Sequence, residues 1–175
     1  MIYLPKRAVF IHIPRTAGNS ITNAIAKACA GRGTDVIIGT AQGVKGFGRS
    51  NRHVRAVNLK KSIPEWDDIY KFAVHRPLED RIESTIRLIN RDIENEVYLD
   101  PTCRDSWKRL LTCQDFLEHN MKQLKKHTTE WYTLDEKQES LGVEVYNYNE
   151  LPSRWYEICD KCQIPRCELP HLNKG

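Results

Sequence analysis

The 175-residue sequence contains no apolar run long enough to cross a bilayer. Its opening residues, MIYLPKRAVFIHIP, are too short and too soon interrupted by Pro14 to read as a signal peptide. Repeats, low-complexity tracts and compositional breaks are missing too, so one domain over residues 1–175 is the simplest expectation. Charge of one sign is scarce: 27 Lys and Arg stand against 23 Asp and Glu, a net charge of +4. A local anion site suits that balance better than a surface that coats nucleic acid, which is not an expected partner. Six cysteines are present, Cys29, Cys103, Cys113, Cys159, Cys162 and Cys167. A disulfide framework is not expected of them without an export signal, in a chain able to bury about 70% of its unfolded surface. The absences together predict a soluble, cytoplasmic protein with no membrane span. They leave its oligomeric state open.

What is present centres on Ala8 to Ile21, AVFIHIPRTAGNSI. Ala8–Ile13 is apolar and rich in β-branched residues, which predicts a buried strand. Pro14 stops it. After a small, polar turn, Ile21, Ala24, Ile25 and Ala28 fall on one face of a helix. Free N–H groups at a helix start, aided by its dipole, favour an anion. Gly18 permits a close backbone approach, and Thr16 and Ser20 bring hydroxyls. Phosphate or sulfate binding is one reading; a capped helix after a core strand is the other. A Walker A loop is excluded, because Asn19 stands before Ser20 where that loop needs Lys.

Further along, Gly31-Arg32-Gly33 ends the helix and Val36–Ile38 reads as a short strand. Gly39–Arg52 is Gly-rich and basic, either an ordinary surface connection or a mobile loop near an anionic ligand. His53 closes it, and Val54, Val57 and Leu59 predict a short helix beyond. Ile69–Val74 predicts a strand ending at His75-Arg76-Pro77, followed by a helix with Glu79 and Asp80 in its first turn and Ile82, Ile86 and Ile89 on one face. No Asp stands at that strand end to hold magnesium, which counts against a kinase or NTPase. Trp107, Leu110, Leu111, Phe116, Leu117 and Met121 predict one or two helices. Leu141–Tyr148 predicts a third strand, with a helix through Trp155, Ile158 and Cys159 after it. Cys159, Cys162, Cys167 and His171 have ligands suited to zinc, but Cys159 and Cys162 fit the amphipathic helix better. His119, His127 and Glu130 are too irregularly spaced for a metal, and none is expected. The order β-α-(β)-α-β-α-α-α-β-α predicts an α/β fold with a small parallel sheet and helices on its faces. The anion loop would lie at a strand's carboxyl end.

FIHIPRTAGNSI resembles the 5′-phosphosulfate loop of sulfotransferases that use 3′-phosphoadenosine 5′-phosphosulfate (PAPS), apolar-His-Ile-Pro-Lys-Thr-Ala-Gly-Thr-Ser, in the branch containing carbohydrate sulfotransferases. KFAVHRPLEDRIES resembles the same family's 3′-phosphate motif, with Arg76 as the strand-end Arg and Ser84 as the helix Ser. Asn149-Glu150-Leu151 and the tail Leu169-Pro170-His171-Leu172-Asn173-Lys174 resemble two later tracts, beyond which family members commonly continue into a segment covering the nucleotide. Three departures stand out: Arg15 replaces the family Lys, His75 replaces an apolar residue, and no Asn or Asp separates Arg76 from Pro77.

The resemblance implies a three-layer P-loop-like fold with a mainly parallel sheet. It further implies transfer of a sulfuryl group from PAPS to an acceptor hydroxyl, expected to be carbohydrate, leaving adenosine 3′,5′-bisphosphate (PAP). Arg15, Thr16, Ala17, Gly18, Asn19 and Ser20 would hold the 5′-phosphosulfate, and Arg76 and Ser84 the 3′-phosphate. His53 would take the acceptor proton, and Arg15 would meet charge on the leaving group. Two other classes remain: a non-catalytic PAP- or PAPS-binding relative, and a nucleotide-dependent kinase.

Overall fold

The computed structural model describes residues 1–38, 52–94 and 114–170. Its contacts fall into two compact units, Met1–His75 with the chain from Thr129 onward, and Arg76–Thr128.

The first unit is built on a five-stranded sheet: β1 (Ile2–Leu4), β2 (Ala8–Ile11), β3 (Ile37–Ile38), β4 (Tyr70–His75) and β5 (Glu144–Asn147), in spatial order β3-β1-β2-β4-β5. β2, β4 and β5 run parallel, with Phe10 opposite Phe72 and Val74 opposite Tyr146. The sheet is nonetheless mixed rather than mainly parallel, because β1 is antiparallel to both β2 and β3. The cause is a hairpin that the sequence did not announce. Ile2–Leu4 is only three residues long, and Pro5-Lys6-Arg7 turns it back, with Lys6 at φ 62° and the Arg7 amide bonded to the Leu4 carbonyl at 3.0 Å.

Both faces of the sheet are apolar, as expected of central strands covered on two sides. Phe10, Phe72, Val74 and Tyr146 on one face pack with Ile21 and Ile25 of α1 (Gly18–Cys29) and with Trp155, Ile158 and Cys159 of the late helix, Leu151–Lys161. Val9, Ile11, Ile13 and Ala73 on the other pack with Ala56 and Leu59 of α2 (Ala56–Lys60), with Trp66, and with Tyr132 of the short helix Thr129–Thr133. Cys159 and Cys162 are wholly buried in the first of these clusters, which is the helix reading of those thiols. Among the described residues no group of His, Cys, Asp or Glu is arranged to hold a metal. Cys103, Cys113 and His171 lie outside them, as do Trp107, Leu110 and Leu111 and nearly all of the Gly39–Arg52 loop.

The second unit contains α3 (Leu78–Glu94) and α4 (Gln114–Lys126), which pack together. With the two helices already introduced, Thr129–Thr133 becomes α5 and Leu151–Lys161 becomes α6. The buried side of α3 differs from the expected isoleucine stripe. Ile89 is buried, but Ile86 is 38% exposed, and Arg81, Ser84 and Thr85 are buried. The Arg81 guanidinium donates through Nη1 to the His127 carbonyl at 3.1 Å and the Thr85 hydroxyl to the Arg81 carbonyl at 2.9 Å, both within the unit. No helix of the described residues is long and apolar enough to cross a membrane.

Candidate functional site

Where β2 ends, Phe10 and His12 point to the α1 face and Ile11 and Ile13 to the other, by strand alternation. Pro14 to Ala17 then turns the chain into α1. The Thr16 side chain is fully buried and its hydroxyl donates to the Ile13 carbonyl at 2.9 Å, closing the turn. Arg15 and Ala17 on either side of it are left-handed, at φ 67° and 65°. Non-glycine residues in that region cost about 1–3 kcal/mol each and persist only where the surroundings impose them. Left-handed residues alternating with others turn successive amides toward one concavity, the backbone arrangement of anion nests.

α1 begins without a side-chain cap and with no acidic residue in its first turn. Its first internal bond runs from the Ile21 amide to the Ala17 carbonyl at 3.1 Å, so the amides of Gly18, Asn19 and Ser20 precede the helical ladder. Arg15–Ser20, the stretch expected to hold an anion, thus carries backbone amides that lie ahead of the helical ladder. The Thr16 hydroxyl contributes to the turn itself, Ser20 is nearly buried, Asn19 is exposed and Arg15 half-buried. Gly18 does not have a positive φ. A Cβ there would lie 1.7 Å from Nε2 of His12, so the close approach that glycine permits is made by an imidazole.

His53 lies in the same unit, ahead of α2 as predicted. Its Nδ1 is 2.8 Å from the His12 carbonyl oxygen. A carbonyl only accepts, so Nδ1 carries a proton, and whenever the ring is neutral its lone pair is on Nε2. The two imidazoles meet edge to face, centroids 4.6 Å apart at 63°.

His12 is the residue that sequence reasoning passed over, although it stands inside the motif. It is 7% exposed, and burial pushes its pKa down to about 2, helped by His53, the Met1 amino group and Arg52. The native protein therefore keeps His12 neutral where the unfolded chain protonates it, near pH 6.5. Stability is fully present above that pH and falls by about 1.4 kcal/mol per pH unit below it. Urea melts between pH 7.5 and 5 check this. The slope should shrink when His12 is replaced by Gln, and an unchanged slope would assign the acid sensitivity elsewhere.

A cleft of about 170 Å³ opens beside the loop, lined by Ala17, Ser20, Tyr148, Asn149, Leu151, Pro152, Leu169 and Pro170. The Asn149-Glu150-Leu151 turn and the start of the tail tract thus meet beside the start of α1. The cleft walls were not singled out from sequence. Their signal was there in the two late tracts, whose prolines and Asn149 come together only in the fold. The Trp155 indole fixes one wall by donating to the Cys167 carbonyl at 2.8 Å.

Arg76 and Ser84 belong to the other unit. Arg76 is half-buried directly after β4, and Ser84 is on the buried side of α3, near its N-terminal end. His75, the unusual residue at the strand end, has its Nδ1 2.9 Å from the Thr129 hydroxyl and so ties β4 to the start of α5. Compared with family models, curated proteins and solved structures, the chain matches none.

Proposed function

We propose that the chain is a PAPS-dependent sulfotransferase with a P-loop-like three-layer fold, acting on a hydroxyl of a carbohydrate acceptor. The observation that carries this reading is the pairing of an uncapped, acid-free helix start after β2 with a His53 ring whose Nε2 bears the lone pair. PAPS would supply an activated sulfuryl group on a phosphate leaving group. The amides of Thr16 to Ser20 and the Ser20 hydroxyl hold its phosphosulfate end, where the α1 dipole favours negative charge. His53 Nε2 takes the acceptor proton as the acceptor oxygen bonds to sulfur and the bridging oxygen leaves with the phosphate. Arg15 and the loop amides meet the charge that grows on that oxygen. The apolar cleft against Ala17 and Ser20 receives the nucleoside. The 3′-phosphate assignment to Arg76 and Ser84 rests on the motif alone.

One feature favours a second reading. Arg15 stands where the family has Lys, and a guanidinium does not give up its proton. The chain would then bind PAP or PAPS without turning over.

Calorimetric titration with PAP, beside ADP with magnesium, tests the proposal on wild type and Arg76→Ala. Binding of PAP but not of ADP is expected, with a loss of roughly 10–100-fold on removing the Arg76 contacts to phosphate. Transfer from radiolabelled PAPS to a panel of saccharides then separates enzyme from binder. Preference for ADP with magnesium, or no binding of either, rejects the sulfotransferase reading.

A further inference from the structure

Neither the loop amides nor the transfer step uses the His12 side chain, yet it touches both halves of the candidate site. Its imidazole stacks on Phe10, centroids 5.8 Å apart and 23° from parallel. On the α1 side it fills the space that a Cβ of Gly18 would need. On the other it abuts the His53 ring, and its own carbonyl receives the His53 Nδ1 proton. That hydrogen bond fixes one atom of His53. It holds the ring only as firmly as one hydrogen bond can, because the outer torsion of histidine is broad and roughly two-fold. The edge of His12 is a second contact on the same ring, and it opposes rotation that would carry Nε2 away.

We propose that His12 is a positioning residue, whose imidazole sets both the ring plane of His53 and the seat of the first turn of α1. The proposal rests on the assignment of His53 as the base only for its effect on rate. A residue that merely filled the core would change stability and leave the tautomer of His53 where it was.

The test uses the full chain with ¹⁵N-labelled histidine, in wild type, His12→Ala and His12→Gln. In wild type the neutral His53 should give a single Nδ1–H signature. Both variants should show a mixture of Nδ1–H and Nε2–H forms, and transfer from PAPS should fall by ~10²-fold, the cost of a misplaced reacting group. Gly18→Ala supplies a second arm that needs no catalysis. It should lower the melting temperature strongly in wild type and much less in the His12→Ala background, since the clash is with the imidazole; contacting residues couple in this way. If His12→Ala does not fold, His12→Gln carries the comparison. A single His53 tautomer in both variants, or an equal cost of Gly18→Ala in the two backgrounds, overturns the proposal. A shifted tautomer in a protein that never transfers sulfuryl supports positioning by His12 and rejects His53 as a base.

Discussion

Replacing His53 by Ala is expected to lower sulfuryl transfer by ~10²–10⁴-fold, the usual contribution of a positioned general base. Affinity for PAP should stay as it was, because in the proposed site backbone amides of the loop and α1, rather than the imidazole, would hold the anion. The hydrogen-bonding pattern gives this expectation its direction. With Nδ1 committed to the His12 carbonyl at 2.8 Å, Nε2 is the nitrogen able to accept a proton. Removing the ring therefore removes the proton acceptor and leaves the amides. Added imidazole should restore part of the rate in His53→Ala. Single-turnover rates with radiolabelled PAPS, with and without imidazole, check the expectation. Transfer at the wild-type rate in His53→Ala would assign the proton to another group.

The largest expected loss of stability comes from Trp155. The side chain is 2% exposed and packs with Phe10, Phe72 and Tyr146 across α6 and the sheet. Truncation to Ala should cost about 3–5 kcal/mol, through lost transfer energy and the cavity left behind. Denaturant melts followed by circular dichroism measure it. Trp155→Phe separates packing from hydrogen bonding. Most of the ring remains, but the donor to the Cys167 carbonyl is gone, for about 1 kcal/mol. That carbonyl leads into Leu169 and Pro170, which wall the cleft. Trp155→Phe should accordingly weaken PAP binding more than its small stability loss suggests. Unchanged affinity would remove the cleft from the binding site.

The strands that run through the middle of the sheet were legible because burial on both faces writes itself as a continuous apolar run. Ala8–Ile13 and Ile69–Val74 predicted β2 and β4 in this way, while Leu141–Tyr148 predicted β5, which lies at the sheet edge with Tyr146 its buried residue. β1 was not legible. Three residues cannot display a period, and the turn at Pro5-Lys6-Arg7 carries no glycine although Lys6 is left-handed. That one hairpin changes the sheet from mainly parallel to mixed. The α3 face misled for a different reason, since Arg81, Ser84 and Thr85 are buried with polar partners and periodicity counts only apolar residues. Around the candidate site, the strand–turn–helix from β2 to α1 and the place of His53 ahead of α2 were legible. The role of His12 was not, because an imidazole occupying the absent side chain of Gly18 is a contact between two motif positions that sequence shows only as neighbours.

The register of the central strands also bears on how the chain reaches this structure during synthesis. β1 and β2 are joined by a tight turn and can pair as soon as both have emerged. The other edge of β2 must wait for β4, since Ala8 pairs with Tyr70, and the far edge of β4 must wait for β5, since His75 pairs with Asn147. Such distant pairings close slowly, because the entropy of a long loop is lost before any contact rewards it. Until Tyr70–His75 has been made the nascent chain presents the open edge of β2, and from then until Glu144–Asn147 that of β4, the form in which chains aggregate. The strand that leads into the Pro14–Ala17 turn is thus sealed on its second side only by β4, and β4 in turn only by β5.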